Sequence, residues 1–169
     1  MLVLQELELA ILFKILLIFL CLCYNNFGEN MVEEFISKSA EDTLKIAKDF
    51  ADSLSVGDIV LLNGDLGAGK TVFVKGVTDK FSNGKAVAVS PTFLIVNVYD
   101  TTPPIYHFDL YRIDSVSELD NIGAEEYLYG DGISFVEWPE RAEGYFPRSA
   151  IKVSITKNGD NERIIRIDR

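Results

Sequence analysis

The chain has 169 residues and a formal charge of −10, from 16 basic and 26 acidic side chains; 48% of its residues are apolar and 25% charged. Those proportions fit one globular domain with enough apolar side chains for a real core, and they exclude an intrinsically disordered chain. The acidic balance also argues against a protein whose main task is gripping a nucleic-acid backbone, which needs clustered Lys and Arg, though not against acting on nucleic acid through a partner.

Residues 9–24 are apolar apart from Lys14. The stretch is shorter than the roughly 20 residues of a membrane-spanning helix. It follows Glu6 and Glu8 and leads to no small-residue cleavage site, unlike a secretory signal. Met31 opens a run, Met-Val-Glu-Glu-Phe-Ile-Ser, that reads as the start of a soluble protein. Residues 1–30 are therefore read as an extension arising from a wrong start, with a membrane-associating helix as the alternative and a signal segment as the third reading. Residues 31–169, read as the working domain, still carry −8, from 15 basic and 23 acidic side chains. Both cysteines, Cys21 and Cys23, lie in the extension, and His107 is the only histidine, which leaves no disulfide framework and no Cys/His zinc cluster.

From Ser39 to Leu54 the apolar positions Leu44, Ala47, Phe50, Ala51 and Leu54 recur at helical spacing, with Ser39 as N-cap and Asp42 at the capping-box position. Asp58–Asn63 is a short continuous apolar run, the pattern of a strand buried on both faces. A glycine loop follows directly, then a helix over Thr71–Phe81. Val87–Val89 is a short strand candidate. Thr92–Tyr99 and Ile105–Phe108 are β-rich runs joined by Asp100-Thr-Thr-Pro-Pro104, which suggests a hairpin-like reversal. Ser115–Leu128 reads as helix in two pieces broken near Gly123, ended by Gly130-Asp-Gly132. Ile133–Val136 is a buried-strand candidate. Ile151–Ile155 and Arg163–Ile167 alternate on either side of Lys157-Asn-Gly-Asp-Asn161, a C-terminal hairpin. The whole predicts a single α/β domain of the P-loop NTPase type, with a mixed, largely buried sheet flanked by helices.

The chemistry centres on Gly64-Asp-Leu-Gly-Ala-Gly-Lys-Thr71, which fills the pattern G-x-x-x-x-G-K-[ST] in the strand–loop–helix context that a P-loop requires. Glycines let successive N–H groups point at a β-phosphate, and the helix that follows adds its positive N-terminal end. Lys70 supplies a point charge to the β/γ-phosphates, and the Thr71 hydroxyl can ligate Mg²⁺. A second acidic group belongs at the end of a neighbouring strand. Glu137, after Ile133-Ser-Phe-Val136, and Asp109, after Ile105-Tyr-His-Phe108, are the two candidates. No Asn-Lys-x-Asp run for guanine occurs, which favours ATP.

Four runs together, Gly64–Thr71, Ser90-Pro-Thr-Phe93, Tyr106-His-Phe-Asp-Leu-Tyr-Arg112 and Val136-Glu-Trp-Pro-Glu140, resemble the bacterial ATPase family of tRNA threonylcarbamoyladenosine biosynthesis, TsaE. The resemblance covers residues 35–145 strongly. It implies ATP phosphates on Leu66, Gly67, Ala68, Gly69, Lys70 and Thr71, and magnesium on Thr71 and Glu137. It puts Thr92 near the γ-phosphate in a first switch segment, Asp109 in a second motif with His107, Tyr111 and Arg112, where it orients or deprotonates water, and Trp138 beside the nucleotide. Ser39 falls near the adenine, at a position where relatives carry an acidic residue. The resemblance further implies a cytoplasmic ATPase that is weak alone. It works with TsaD-like and TsaB-like partners that modify adenosine 37 of tRNAs reading codons that begin with A, so that contact with tRNA is indirect. No DNA partner is implied, and a membrane enters only if residues 1–30 are genuine. Two rivals remain open from sequence: a small-molecule kinase built on the same P-loop, and a non-hydrolysing ATP-dependent assembly switch.

Overall fold

The computed structural model describes residues 31–84, 89–91 and 94–169. Its strands are β1 (Val32–Ser37), β2 (Ile59–Asn63), β3 (Val96–Tyr99), β4 (Ile105–Asp109), β5 (Ile133–Glu137), β6 (Ile151–Asn158) and β7 (Glu162–Asp168). They form one mixed sheet in the order β1-β7-β6-β2-β5-β4-β3. The middle of the sheet is parallel, with β2 between β5 and β6 and β4 beside β5. Both flanks are antiparallel: β3 on β4 at one side, β6, β7 and β1 at the other.

The helices are α1 (Ala40–Ala51), α2 (Lys70–Ser82), α3 (Ser117–Asn121) and α4 (Ala124–Leu128), followed by a 3₁₀ turn at Pro139–Ala142. The apolar run of β2 divides between two cores because successive side chains of a strand point to opposite faces. Val60 and Leu62 enter one core with Ile133 and Phe135 of β5, beneath Ala47 and Phe50 of α1 and Phe73, Val74 and Val77 of α2. Ile59 and Leu61 enter the other, with Phe108 and Val136, beneath Leu119 of α3 and Leu128 of α4. A central strand covered on both faces is what the continuous run at Asp58–Asn63 predicted.

The Ser39 hydroxyl accepts from the Asp42 N–H at 3.1 Å and so caps α1, while the Asp42 carboxylate accepts from the Lys38 N–H at 2.9 Å. The reciprocal cap thus forms with the shorter acidic side chain, but one residue further out. The helix stops at Ala51, and Leu54 packs on the core from the turn beyond it. Gly123, at φ 67°, separates α3 from α4, as its position in the pattern suggested. The hairpins β3–β4 and β6–β7 both form. Two expectations shift. Within the run from Thr92 to Tyr99 the strand begins only at Val96, since Leu94 and Ile95 turn back to donate to the Pro91 carbonyl. Val89 lies outside any strand, and the remainder of the Val87–Val89 candidate lies outside the described residues, as does Thr92.

Gly76 sets how closely α2 approaches α1. A Cβ there would sit 2.6 Å from the Leu44 carbonyl oxygen and 2.7 Å from the Ala47 Cβ. In an open helix Gly→Ala gains about 1 kcal/mol of propensity. Here we expect Gly76→Ala to destabilise by roughly 1–3 kcal/mol through overpacking. Urea unfolding measures this, and a stabilised variant would show that the two helices part freely.

Candidate functional site

The C-terminal ends of β2, β4 and β5 converge on one opening. Gly64, just beyond β2, has φ 146°, and a Cβ there would overlap the Ile155 carbonyl oxygen of β6, so the loop leaves the sheet along a path that only glycine permits. The loop then climbs to Gly69, whose carbonyl accepts the first helical bond of α2 from Phe73 at 2.9 Å. Two of its carbonyls are held from across the fold: Lys157 Nζ donates to Leu66 O at 2.9 Å, and Arg163 Nε donates to Ala68 O at 3.0 Å. Neither contact was foreseen from the sequence, where both cations belong to an ordinary hairpin some ninety residues away.

A cavity of about 530 Å³ opens over this loop. Leu66, Gly67, Ala68, Gly69, Lys70 and Thr71 line it, facing Ser90, Asp109, Tyr111, Arg112, Glu137 and Trp138. A second cavity of about 490 Å³ lies on the other side of Gly67–Gly69, bounded by Lys38, Ser39, Asn161 and Arg163 among others. The residues singled out in the sequence therefore gather at one place, with Ser39 across the loop from the rest and Thr92 outside the described residues.

Thr71 Oγ1 donates to Glu137 Oε1 at 2.8 Å, which brings the first residue pair of the expected metal site into contact. Glu137 is 4% exposed. Among the described residues no group of three His, Cys, Asp or Glu side chains could cage a metal. One hydroxyl and one carboxylate, both oxygen donors with room beside them, could hold a hard cation such as Mg²⁺.

Lys70 is buried. Its ammonium donates to the carbonyls of Gly64 and Asp65 and lies 3.8 Å from the centroid of the Trp138 ring. Burial pushes the Lys70 pKa below the ordinary lysine value, against the pull of Glu137, Glu140, Asp109 and Asp65. Trp138 itself adopts a left-handed backbone, φ 61°, a conformation that costs a non-glycine residue about 1–2 kcal/mol. Its ring is held between Lys70 and Tyr111, the latter with centroids 4.9 Å apart. Asp109, 5% exposed, pairs in register with Glu137 on the neighbouring strand. It accepts from Ser90 Oγ at 2.6 Å and from the Tyr111 N–H at 3.1 Å.

A family model described as threonylcarbamoyl adenosine biosynthesis protein TsaE matches residues 37–165. The chain belongs to the TsaE family. It is 41% identical over 126 residues to the tRNA threonylcarbamoyladenosine biosynthesis protein TsaE of Bacillus subtilis, covering 74% of this chain and 78% of that one. To the protein of the same name from Rickettsia felis it is 41% identical over 133 residues, covering 78% and 77%. A crystal structure of Bacillus subtilis YdiB superposes with a TM-score of 0.71 and 32% identity, over 83% of this chain and 87% of that one. As a TsaE, the chain carries its glycine loop, Glu137 and Asp109 around a single opening, on a sheet of the P-loop NTPase type. No helix among the described residues is long and apolar enough to cross a membrane.

Proposed function

We propose that this TsaE binds and hydrolyses MgATP, and that hydrolysis drives a step of threonylcarbamoyladenosine formation in tRNA carried out with TsaD-like and TsaB-like partners. The observation that carries the reading is the Thr71–Glu137 contact at 2.8 Å, which joins the end of the glycine loop to an acidic residue on the adjacent strand. It has the form of a P-loop magnesium site. Residues 31–169 are the catalytic domain in this reading and residues 1–30 an extension outside it. The protein works in the cytoplasm, and a membrane is involved only if that extension is genuine.

Backbone N–H groups from Leu66 to Thr71 and the N-terminus of α2 take the phosphates. The nucleoside leaves by way of Gly67–Gly69 into the cavity bounded by Ser39 and Arg163. Ser39 reaches it with a hydroxyl already engaged in capping α1, so its contribution there is shape. Thr71 and Glu137 would hold Mg²⁺, which would supply charge neutralisation at the phosphates when bound. Lys70 adds a desolvated positive charge on the same side, and Asp109 aligns water for attack on the γ-phosphorus. Thr92, outside the described residues, keeps the role that the family resemblance implies, near the γ-phosphate. The acidic surface, −8 over residues 31–169, suits a division of labour in which the partners hold the tRNA.

The test is phosphate release from MgATP, measured for the chain alone and with the partner proteins and tRNA. Slow release that rises with the partners is expected. Absence of free phosphate under both conditions would overturn hydrolysis in favour of an assembly switch, and a phosphorylated metabolite would point to a kinase.

A further inference from the structure

Phosphate and metal chemistry leave His107 without a task, although it is fully buried within the site's own strand. Its Nε2 lies 2.9 Å from Glu137 Oε1, the same oxygen that accepts from Thr71. With Nε2–H donating to that carboxylate, the other ring nitrogen faces the Tyr99 hydroxyl, with Nδ1 3.4 Å from it. Tyr99 ends β3 and is itself buried. Its hydroxyl accepts from Val89 N–H at 3.0 Å and has one proton for two acceptors, Val89 O at 2.8 Å and the His107 Nδ1; when the proton goes to Nδ1, the bond from Val89 N–H stays in place. The next residue is Ser90, whose hydroxyl donates to Asp109 Oδ2 at 2.6 Å. With the phenol proton on Nδ1, one chain of hydrogen bonds runs Thr71–Glu137–His107–Tyr99–Val89, its last link the Val89 N–H, and returns through Ser90 to Asp109.

We propose that Tyr99, acting through His107 on one side and Val89 on the other, is a positioning residue that holds the metal-side carboxylate Glu137 and the water-side carboxylate Asp109 in one frame. Neither Tyr99 nor His107 lines the phosphate cavity, so neither touches the reacting groups. A buried phenol needs a partner for its hydroxyl, but a single backbone carbonyl would suffice. This one spans a loop and a buried histidine instead, and those two lead to the two carboxylates the reaction uses. Ligating carboxylates held by such outer partners lose about 10–100-fold in metal affinity or activity when the partner is removed.

The proposal rests on the MgATP reading, and its test separates the two. Trp138 is the only tryptophan and lines the cavity beside Glu137, so its emission reports magnesium binding to the full chain loaded with ADP. In Tyr99→Phe the magnesium midpoint of that signal is expected to rise about tenfold, and kcat for ATP with partners at saturating magnesium to fall about tenfold. The KM for ATP should stay within about twofold, because the phosphate cradle is untouched. A folded Tyr99→Phe chain with a wild-type midpoint, or with wild-type kcat, would overturn the proposal. His107→Gln, which keeps an N–H for Glu137, should hold the midpoint within about threefold where His107→Ala raises it about tenfold; equal losses in both would also overturn it. Failure of the wild-type chain to hydrolyse ATP would sink the hydrolytic reading and leave the magnesium midpoint to decide the role of Tyr99.

Discussion

Replacing Lys70 with alanine is expected to lower ATP turnover by about 10²–10³-fold and to weaken nucleotide binding with it. The ammonium is buried among polar groups that all point the same way: the carbonyls of Gly64 and Asp65 accept from it, and the Trp138 ring covers it. Burial already pushes its pKa down, so the protein pays to keep a charge there, and the γ-phosphate is the group that repays the cost in this reading. Arginine should not restore activity, since a planar guanidinium cannot occupy the space of a compact ammonium beneath an indole. Because Lys70 also ties the loop to itself, the variant needs a control for collapse of the cradle. Calorimetric titration with ADP serves, and a thermal midpoint near that of the wild type shows that the fold survives. Normal hydrolysis by Lys70→Ala with partners present would show that the phosphates bind elsewhere.

The parts of this fold that were readable from the sequence are those whose signal is local. Asp58–Asn63 and Ile133–Val136 read as doubly buried strands because both faces of each are covered, which removes the alternation of a surface strand. The glycine loop was readable because close backbone approach and positive φ restrict the residue types at Gly64, Gly67 and Gly69. Strand β1 escaped notice for the opposite reason. It is an edge strand whose side chains are mostly exposed, so Val32-Glu-Glu-Phe-Ile-Ser37 carries no core-facing pattern, and only its pairing with β7 makes it a strand. Within the site, Lys70, Thr71, Glu137 and Asp109 were legible from motif and strand ends. The hold of Lys157 and Arg163 on the loop, and of Tyr99 on Val89, was not. Those bonds depend on which strands lie side by side, and the order β6-β2-β5-β4-β3 is a tertiary fact that no single segment encodes.

For Asp109, the expectation is a loss of turnover with binding preserved. Asp109→Ala should lower kcat by about 10²-fold or more, the range for loss of a positioned proton acceptor, with the KM for ATP within about threefold. The structure adds a complication to the role inferred from the motif. Both carboxylate oxygens already accept a hydrogen bond, Oδ2 from Ser90 and Oδ1 from the Tyr111 backbone, so alanine would release the Ser90 segment as well as the acceptor. Asparagine separates the two effects. Its oxygen can keep the Tyr111 N–H, and its amide can donate to Ser90, because a serine hydroxyl turns from donor to acceptor by rotating. Asp109→Asn therefore keeps the bonds to Ser90 and Tyr111 while removing the capacity to take a proton. A drop in kcat as large as that of alanine makes Asp109 the group that handles the water. Near-wild-type turnover in asparagine with a large loss in alanine makes it a brace for Ser90 and Tyr111. Loss of ATP binding in both would mean that the carboxylate shapes the cavity itself, and the water-handling role would have to be sought among the other groups that line it.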